Sequence, residues 1–127
     1  MKSSALIVLK LPTGEFVLQR RTDNSPLSPN KLGLFGGGIE AGESPYECIV
    51  RELGEETSLD IGRLTIDFIK RYELQNPNRY SYLFRAFVES AEFRIYEGKW
   101  VEVYTLEALK MRNDLTPTLQ LIVNDLG

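Results

Sequence analysis

Glu52, Glu55 and Glu56 fall at i, i+3 and i+4 of a segment that reads as helix, which gathers three carboxylates on one patch. At about 6 Å and an effective dielectric near 20, each close pair repels by roughly 2 to 3 kcal/mol. A hard divalent cation bound through oxygen relieves that repulsion. Magnesium, which keeps waters and takes phosphate oxygens as ligands, suits a phosphate-cleaving site best. Immediately upstream, Gly36, Gly37 and Gly38 offer a backbone able to reach positive φ and to approach a charged ligand closely. A solvated Glu-rich helix face needs no such loop before it.

The elements that must position these groups are legible around them. Ser44, Pro45 and Glu47 form a capping box with proline at the first helical position, so a helix starts there. Its apolar face is Tyr46, Ile49, Val50 and Leu53, with Cys48 as a small side chain near the core and Gly42 allowing a tight entry. Ser4 to Leu11 and Phe16 to Thr22 read as a hairpin around the turn Pro12-Thr13-Gly14-Glu15, and residues 23 to 33 as a Pro/Asn/Ser loop. Leu64 to Leu74 and Tyr80 to Val88 read as strands flanking the turn Gln75-Asn76-Pro77-Asn78, and Trp100 to Tyr104 as another. Thr105 caps a short helix through Met111, and Thr116-Pro117 opens a last one through Leu126. Strands interleaved with helices on two sides predict an α/β layered fold, with residues 1–127 forming one domain.

Composition narrows the chemistry. The chain has 127 residues, 43% of them hydrophobic, and a formal net charge of -3, which argues against a nonspecific binder of nucleic-acid polymers. The absence of histidine excludes a histidine base and a His-ligated zinc centre. The single cysteine excludes an internal disulfide, pointing to a reducing compartment. The apolar run near the N-terminus is interrupted too early for a signal peptide or a membrane span, so the expectation is a cytoplasmic protein without a membrane partner.

Residues 36 to 59, GGGIEAGESPYECIVRELGEETSL, resemble the Nudix signature G-x5-E-x7-R-E-U-x-E-E-x-G-U, where U is aliphatic. From Gly37 onward the register holds for Glu43, Arg51, Glu52, Leu53, Glu55, Glu56 and Leu59; Ser58 replaces the second glycine and Phe35 the usual proline. The resemblance implies the Nudix α/β/α sandwich with a mixed β-sheet. It also implies Mg2+-dependent cleavage of a phosphoanhydride in a nucleoside diphosphate linked to another group, with Mn2+ as the substitute ion. On it, Glu52, Glu55 and Glu56 are metal ligands, with the Gly37 or Gly36 carbonyl as a further one. Glu43 and Arg51 hold the loop against the helix, with Arg51 counted in the catalytic set. Ser58 is expected to end the helix in the left-handed conformation that glycine adopts without strain.

Beyond the signature, Gly14 to Arg21 followed by Asn30-Lys31-Leu32 is similar to the small MutT-type nucleoside triphosphate pyrophosphatases. That similarity implies a nucleotide contact from Arg21, ahead of Arg20, alongside the loop glycines Gly36, Gly37 and Gly38. Glu97-Gly98-Lys99-Trp100 is similar to the family's loop before a late strand. It makes Glu97, ahead of Glu102, an acid that completes the metal site or serves as general base in competition with Glu52. Trp100 reads as core. MutT-type enzymes that favour oxidised guanine nucleotides carry an Asn near the start of the final helix, where this chain has Thr116-Pro117-Thr118, which weakens that assignment. The implied substrate is a (d)NTP or a modified NTP, giving NMP and pyrophosphate. The alternatives are a nucleotide sugar such as ADP-ribose, or a catalytically silent nucleotide-binding fold. Monomer and homodimer both remain open.

Overall fold

Apolar residues alternate along β1 (Ser4–Lys10) so that Ala5, Ile7 and Leu9 point to one side and Leu6 and Val8 to the other. A strand apolar on both faces must be covered on both faces. The computed structural model, which describes residues 3–74 and 79–126, does this with helices on either side of a sheet. The expected turn at residues 75 to 78 lies outside the described residues.

Among the described residues the sheet has seven strands. β1 runs parallel to β6 (Tyr80–Phe87) along its whole length, and β6 pairs antiparallel with the edge strand β5 (Asp67–Glu73). The other edge of β1 is divided. Leu9 and Lys10 pair with β2 (Phe16–Arg20), while Ser4 to Ile7 pair with β4 (Phe35–Gly38). β2 carries β3 (Leu32–Gly33) and β7 (Trp100–Tyr104) on its flanks. Because β2 and β4 share one edge of β1, the sheet splays between them, and a cavity opens there. The glycine run is therefore a strand and not a loop. Its own side chains could not announce this, since the pairing comes from β1.

Helix α1 (Pro45–Glu56) packs Cys48, Ile49 and Leu53 on the face of β1 that presents Ala5, Ile7 and Leu9. The expected capping box is present: the Glu47 amide donates to Ser44 Oγ at 3.1 Å and the Ser44 amide to Glu47 Oε1 at 2.9 Å. Tyr46 differs from expectation, being exposed with its ring against Phe84, so the buried stripe is Cys48, Ile49, Leu53 and Glu56. Helices α2 (Leu106–Lys110) and α3 (Pro117–Ile122) cover the opposite face through Leu109, Leu119 and Ile122. Short 3-10 turns at Ile61–Arg63 and Val123–Asp125 complete the order. Trp100 is not core: it is 54% exposed and its indole donates to Glu102 at 2.7 Å. Arg20 points to that same side, with Nε 2.7 Å from Glu102 and Nη1 2.9 Å from Asp114, and this network locks β2 to β7 and to the chain entering α3.

Two of the glycines are required for different reasons. Gly36 sits at φ +140°, and a Cβ there would overlap the Ala5 carbonyl of β1. Gly37 has no positive φ, but its Cβ would overlap the Glu52 carboxylate. Gly36→Ala should therefore unpair β4 and lower the melting temperature sharply. Gly37→Ala should stay folded while displacing a flexible side chain, losing activity with little loss of stability. Thermal unfolding and turnover measured on both variants check the contrast.

Candidate active site

The helix and the glycine strand meet side chain against backbone. The Gly36 amide donates to Glu56 Oε1 at 3.1 Å, and Arg51 Nη2 donates to the Gly38 carbonyl at 3.2 Å. The Cys48 thiol lies 3.6 Å from the Gly37 carbonyl and 3.5 Å from that of Gly38. Desolvation pushes that thiol up to about 11, which leaves Cys48 a neutral packing group. Only a strand without side chains lets a helix face come this close.

Arg51 is the hub of the surrounding charges. It donates to Glu43 through Nε at 2.7 Å and Nη2 at 3.0 Å, and to Glu52 and Glu55 through Nη1 at 3.1 and 3.0 Å. The guanidinium hydrogen bond, helped by the Glu40 amide, holds the Glu43 carboxyl down at about 2. Glu43 and Arg51 thus fasten the loop to the helix.

The cavity, about 750 Å³, is lined by Gly36, Gly37, Gly38, Glu52, Glu56, Glu97 and Arg21, with Leu6, Leu34 and Leu27 as apolar wall. Of the expected site residues, Glu55 and Arg51 do not line it. Successive helix residues are about 100° apart, so Glu56 follows Leu53 onto the buried stripe while Glu55 turns outward to Arg51. Arg21 lies on the wall, its Nε donating to the Leu27 carbonyl at 2.9 Å, whereas Arg20 is consumed by Glu102 and Asp114. Glu102, the alternative late acid, belongs to that ion-paired network, which holds its carboxyl at about 2. Gln19, buried in the cavity wall, escaped the sequence reading. The only signal was a polar residue directly after three apolar ones in the strand FVLQR, which is buried on both faces.

Glu56 is 4% exposed. Desolvation, reinforced by the charges of Glu97 and Glu52 and opposed by the Gly36 amide, pushes its carboxyl up to about 9. Desolvation also raises Glu52 above the ordinary carboxylate value, against the pull of Arg51. Among the described residues no three acidic side chains stand close enough to enclose an ion as they are placed, because Arg51 draws Glu52 and Glu55 to itself. The donor set nevertheless suits a hard divalent cation: carboxylate oxygens of Glu52, Glu56 and Glu97 face one cavity, two of them destabilised as anions, beside backbone free of side chains.

Ser58 corrects an expectation. It has no positive φ; the helix ends at Thr57 in extended conformation. The Ser58 amide donates to the Arg94 carbonyl at 2.9 Å and its Oγ accepts the Arg94 amide at 2.8 Å. A glycine there could not make the second bond. The hydroxyl fastens the segment leading to Glu97 onto the end of α1.

A NUDIX domain family model matches residues 1–123. The 8-oxo-dGTP diphosphatase of Escherichia coli K12 is 28% identical over 109 residues, covering 82% of this chain and 82% of its own. That of Haemophilus influenzae is 27% identical over 106 residues, 80% of this chain and 76% of its own. The crystal structure of DR0079 from Deinococcus radiodurans superposes with a TM-score of 0.87 at 21% identity, covering 98% of this chain and 82% of that one. Nudix enzymes generally use a divalent metal. No helix among the described residues is long and apolar enough to cross a membrane.

Two outcomes follow from the side-chain environment. Ser58→Gly should destabilise the protein by on the order of 1 kcal/mol, since it removes one hydrogen bond and adds backbone freedom; urea unfolding measures it. For Glu56, the folded value near 9 lies above the ordinary 4.5. Without divalent cation the burden is absent below pH 4.5, grows as the unfolded chain ionises first, and is complete above pH 9. The melting temperature of protein held in chelator should therefore fall from pH 5 to 9, and that slope should flatten in Glu56→Gln. The signature, the two curated relatives and the fold agree with this acid-lined cavity: the chain belongs to the Nudix family and is a Nudix-type pyrophosphohydrolase acting on acid anhydrides.

Proposed function

We propose that this chain is a Mg2+-dependent pyrophosphatase of a (d)NTP or modified NTP, releasing the nucleoside monophosphate and pyrophosphate, with Mn2+ as substitute ion. One observation carries the reading: a cavity of about 750 Å³ has acids and bare backbone on one wall and the Arg21 guanidinium with apolar side chains on another. That division suits a ligand with a polyanionic end and a flat, partly apolar end, in the size range of small-molecule sites.

When bound, the cation would offset phosphate charge and make a coordinated water more acidic. Glu52 and Glu56, with the outward Glu55 released from Arg51, would hold it, the Gly37 carbonyl adding an oxygen. Glu97 takes the proton as water attacks phosphorus and the anhydride P–O bond to the leaving group breaks. Glu97 is preferred over Glu52 as base because Arg51 ties Glu52 down at 3.1 Å, while Glu97 lines the cavity beside Glu56, outside the Arg51 hydrogen bonds. Arg21 donates to phosphate or to a base edge, held in aim by Ser25 and the Leu27 carbonyl.

Because the two relatives are 8-oxo-dGTP diphosphatases, 8-oxo-dGTP belongs on the substrate panel. Thr116, however, spends its hydroxyl capping α3, accepting the Leu119 amide at 3.3 Å, and its methyl packs on Gly33, so no amide stands there to read a purine edge. Ordinary and differently modified triphosphates are therefore tested alongside it.

The experiment is magnesium-dependent phosphate release from a panel of nucleotides, with pyrophosphatase in the triphosphate arm and alkaline phosphatase in the nucleotide-sugar arm. Release confined to the triphosphate arm is expected; release only from ADP-ribose or related sugars would overturn the substrate class, and none from either would favour a silent fold. On the best substrate, Arg21→Ala should raise KM by about tenfold or more with a smaller change in kcat, as loss of a charge-assisted contact of roughly 1.5 to 3 kcal/mol requires. Arg20→Ala should instead lower stability, because it leaves Glu102 and Asp114 without their shared partner.

A further inference from the structure

The chain between Ser58's partner and β7 has little regular structure of its own, yet it carries Glu97 to the cavity. It is fastened at both ends by backbone. The Tyr96 amide donates to the Glu56 carbonyl at 2.7 Å and the Lys99 amide to the Arg20 carbonyl at 2.8 Å. Between these two bonds Gln19 Nε2 donates to the Glu97 backbone carbonyl at 2.6 Å, while the Glu97 carboxyl lies within hydrogen-bonding reach of Glu56. Gln19 is 6% exposed, on a strand whose other residues are largely apolar. A buried primary amide is costly unless paired, and a carbonyl partner obliges the nitrogen to face it.

Gly98 adds an independent observation. It lies flat on that amide at φ +91°, and a Cβ there would stand 2.7 Å from Gln19 Cγ and 2.9 Å from Nε2. The Glu97–Gly98 peptide is thus pressed against Gln19 and bonded to it, and its carbonyl is turned to the strand.

We infer that Gln19 is a positioning residue for Glu97: by pinning the Glu97 backbone carbonyl to β2 it keeps the Glu97 carboxyl beside Glu56 at the cavity wall. The Nudix signature asks for no residue at this position. The inference rests on the reading of Glu97 as the proton acceptor. Gln19 touches neither reacting atom and acts only through the orientation of another side chain, so its loss should slow turnover without weakening substrate binding.

The test is a double-mutant cycle on the best nucleotide of the panel, with wild type, Gln19→Met, Glu97→Gln and the double variant, together with amide hydrogen exchange of the protein in chelator. Gln19→Met keeps the length and loses the donor; Gln19→Leu, shorter and also without a donor, replaces it should the methionine variant not fold. The expected result is a kcat lower by about tenfold or more with KM unchanged, within the range a positioned base contributes. No further loss is expected when Gln19→Met is added to Glu97→Gln. Exchange at Tyr96 and Lys99 should speed up by roughly tenfold, as local opening becomes easier. Full kcat in Glu97→Gln would overturn the reading of Glu97 and the inference with it. A slow Glu97→Gln beside a wild-type Gln19→Met, additive losses in the double variant, or unchanged exchange at Tyr96 and Lys99 would overturn the role of Gln19 alone.

Discussion

The close approach of α1 to β4 is the constraint on which the site depends. Four contacts cross that seam: Glu56 to the Gly36 amide, Glu52 over Gly37, Arg51 to the Gly38 carbonyl, and the Cys48 sulfur beside the Gly37 and Gly38 carbonyls. Each fails if a side chain intervenes. The glycines are therefore less a flexible loop than a thin partition. Through it a helix presents carboxylates to a cavity on the sheet's splayed edge.

That arrangement places anions where water is scarce. Arg51 neutralises the outer part of the cluster, satisfying Glu43 and Glu55 and restraining Glu52, but it does not reach Glu56. Glu56 is left with one backbone amide, with the Glu97 carboxyl in hydrogen-bonding reach and with the charge of Glu52 nearby, so its carboxyl resists ionisation. A buried acid held this way is poor for stability and suited to a cation. The expense is localised at the end of α1, where Ser58 and Thr57 bind the 94–97 segment and keep the helix end from fraying.

Local chemistry made much of this legible. The capping box needed only Ser44, Pro45 and Glu47, and the alternation of β1 needed only its own residues. What the sequence hid depends on partners far along the chain. β4 is a strand because Ser4 to Ile7 pair with it. Glu55 and Glu56 look equivalent in a helical count, yet Arg51 claims the first and the core stripe the second. Ser58 looked like a poor glycine until Arg94 was placed beside it, and Trp100 looked like core although its strand turns it toward Glu102 and solvent. Gln19 gave no motif at all, since its meaning lies in a carbonyl 78 positions away.

Calorimetric titration of metal-free protein with Mg2+ and Mn2+ tests most directly whether this glycine and carboxylate seam holds a divalent cation. Saturable binding to the wild type, lost or weakened by about tenfold or more in Glu56→Gln while that variant keeps its fold, is the predicted result. Undiminished binding in Glu56→Gln, or binding abolished only by changes outside Glu52, Glu55, Glu56 and Glu97, would contradict it.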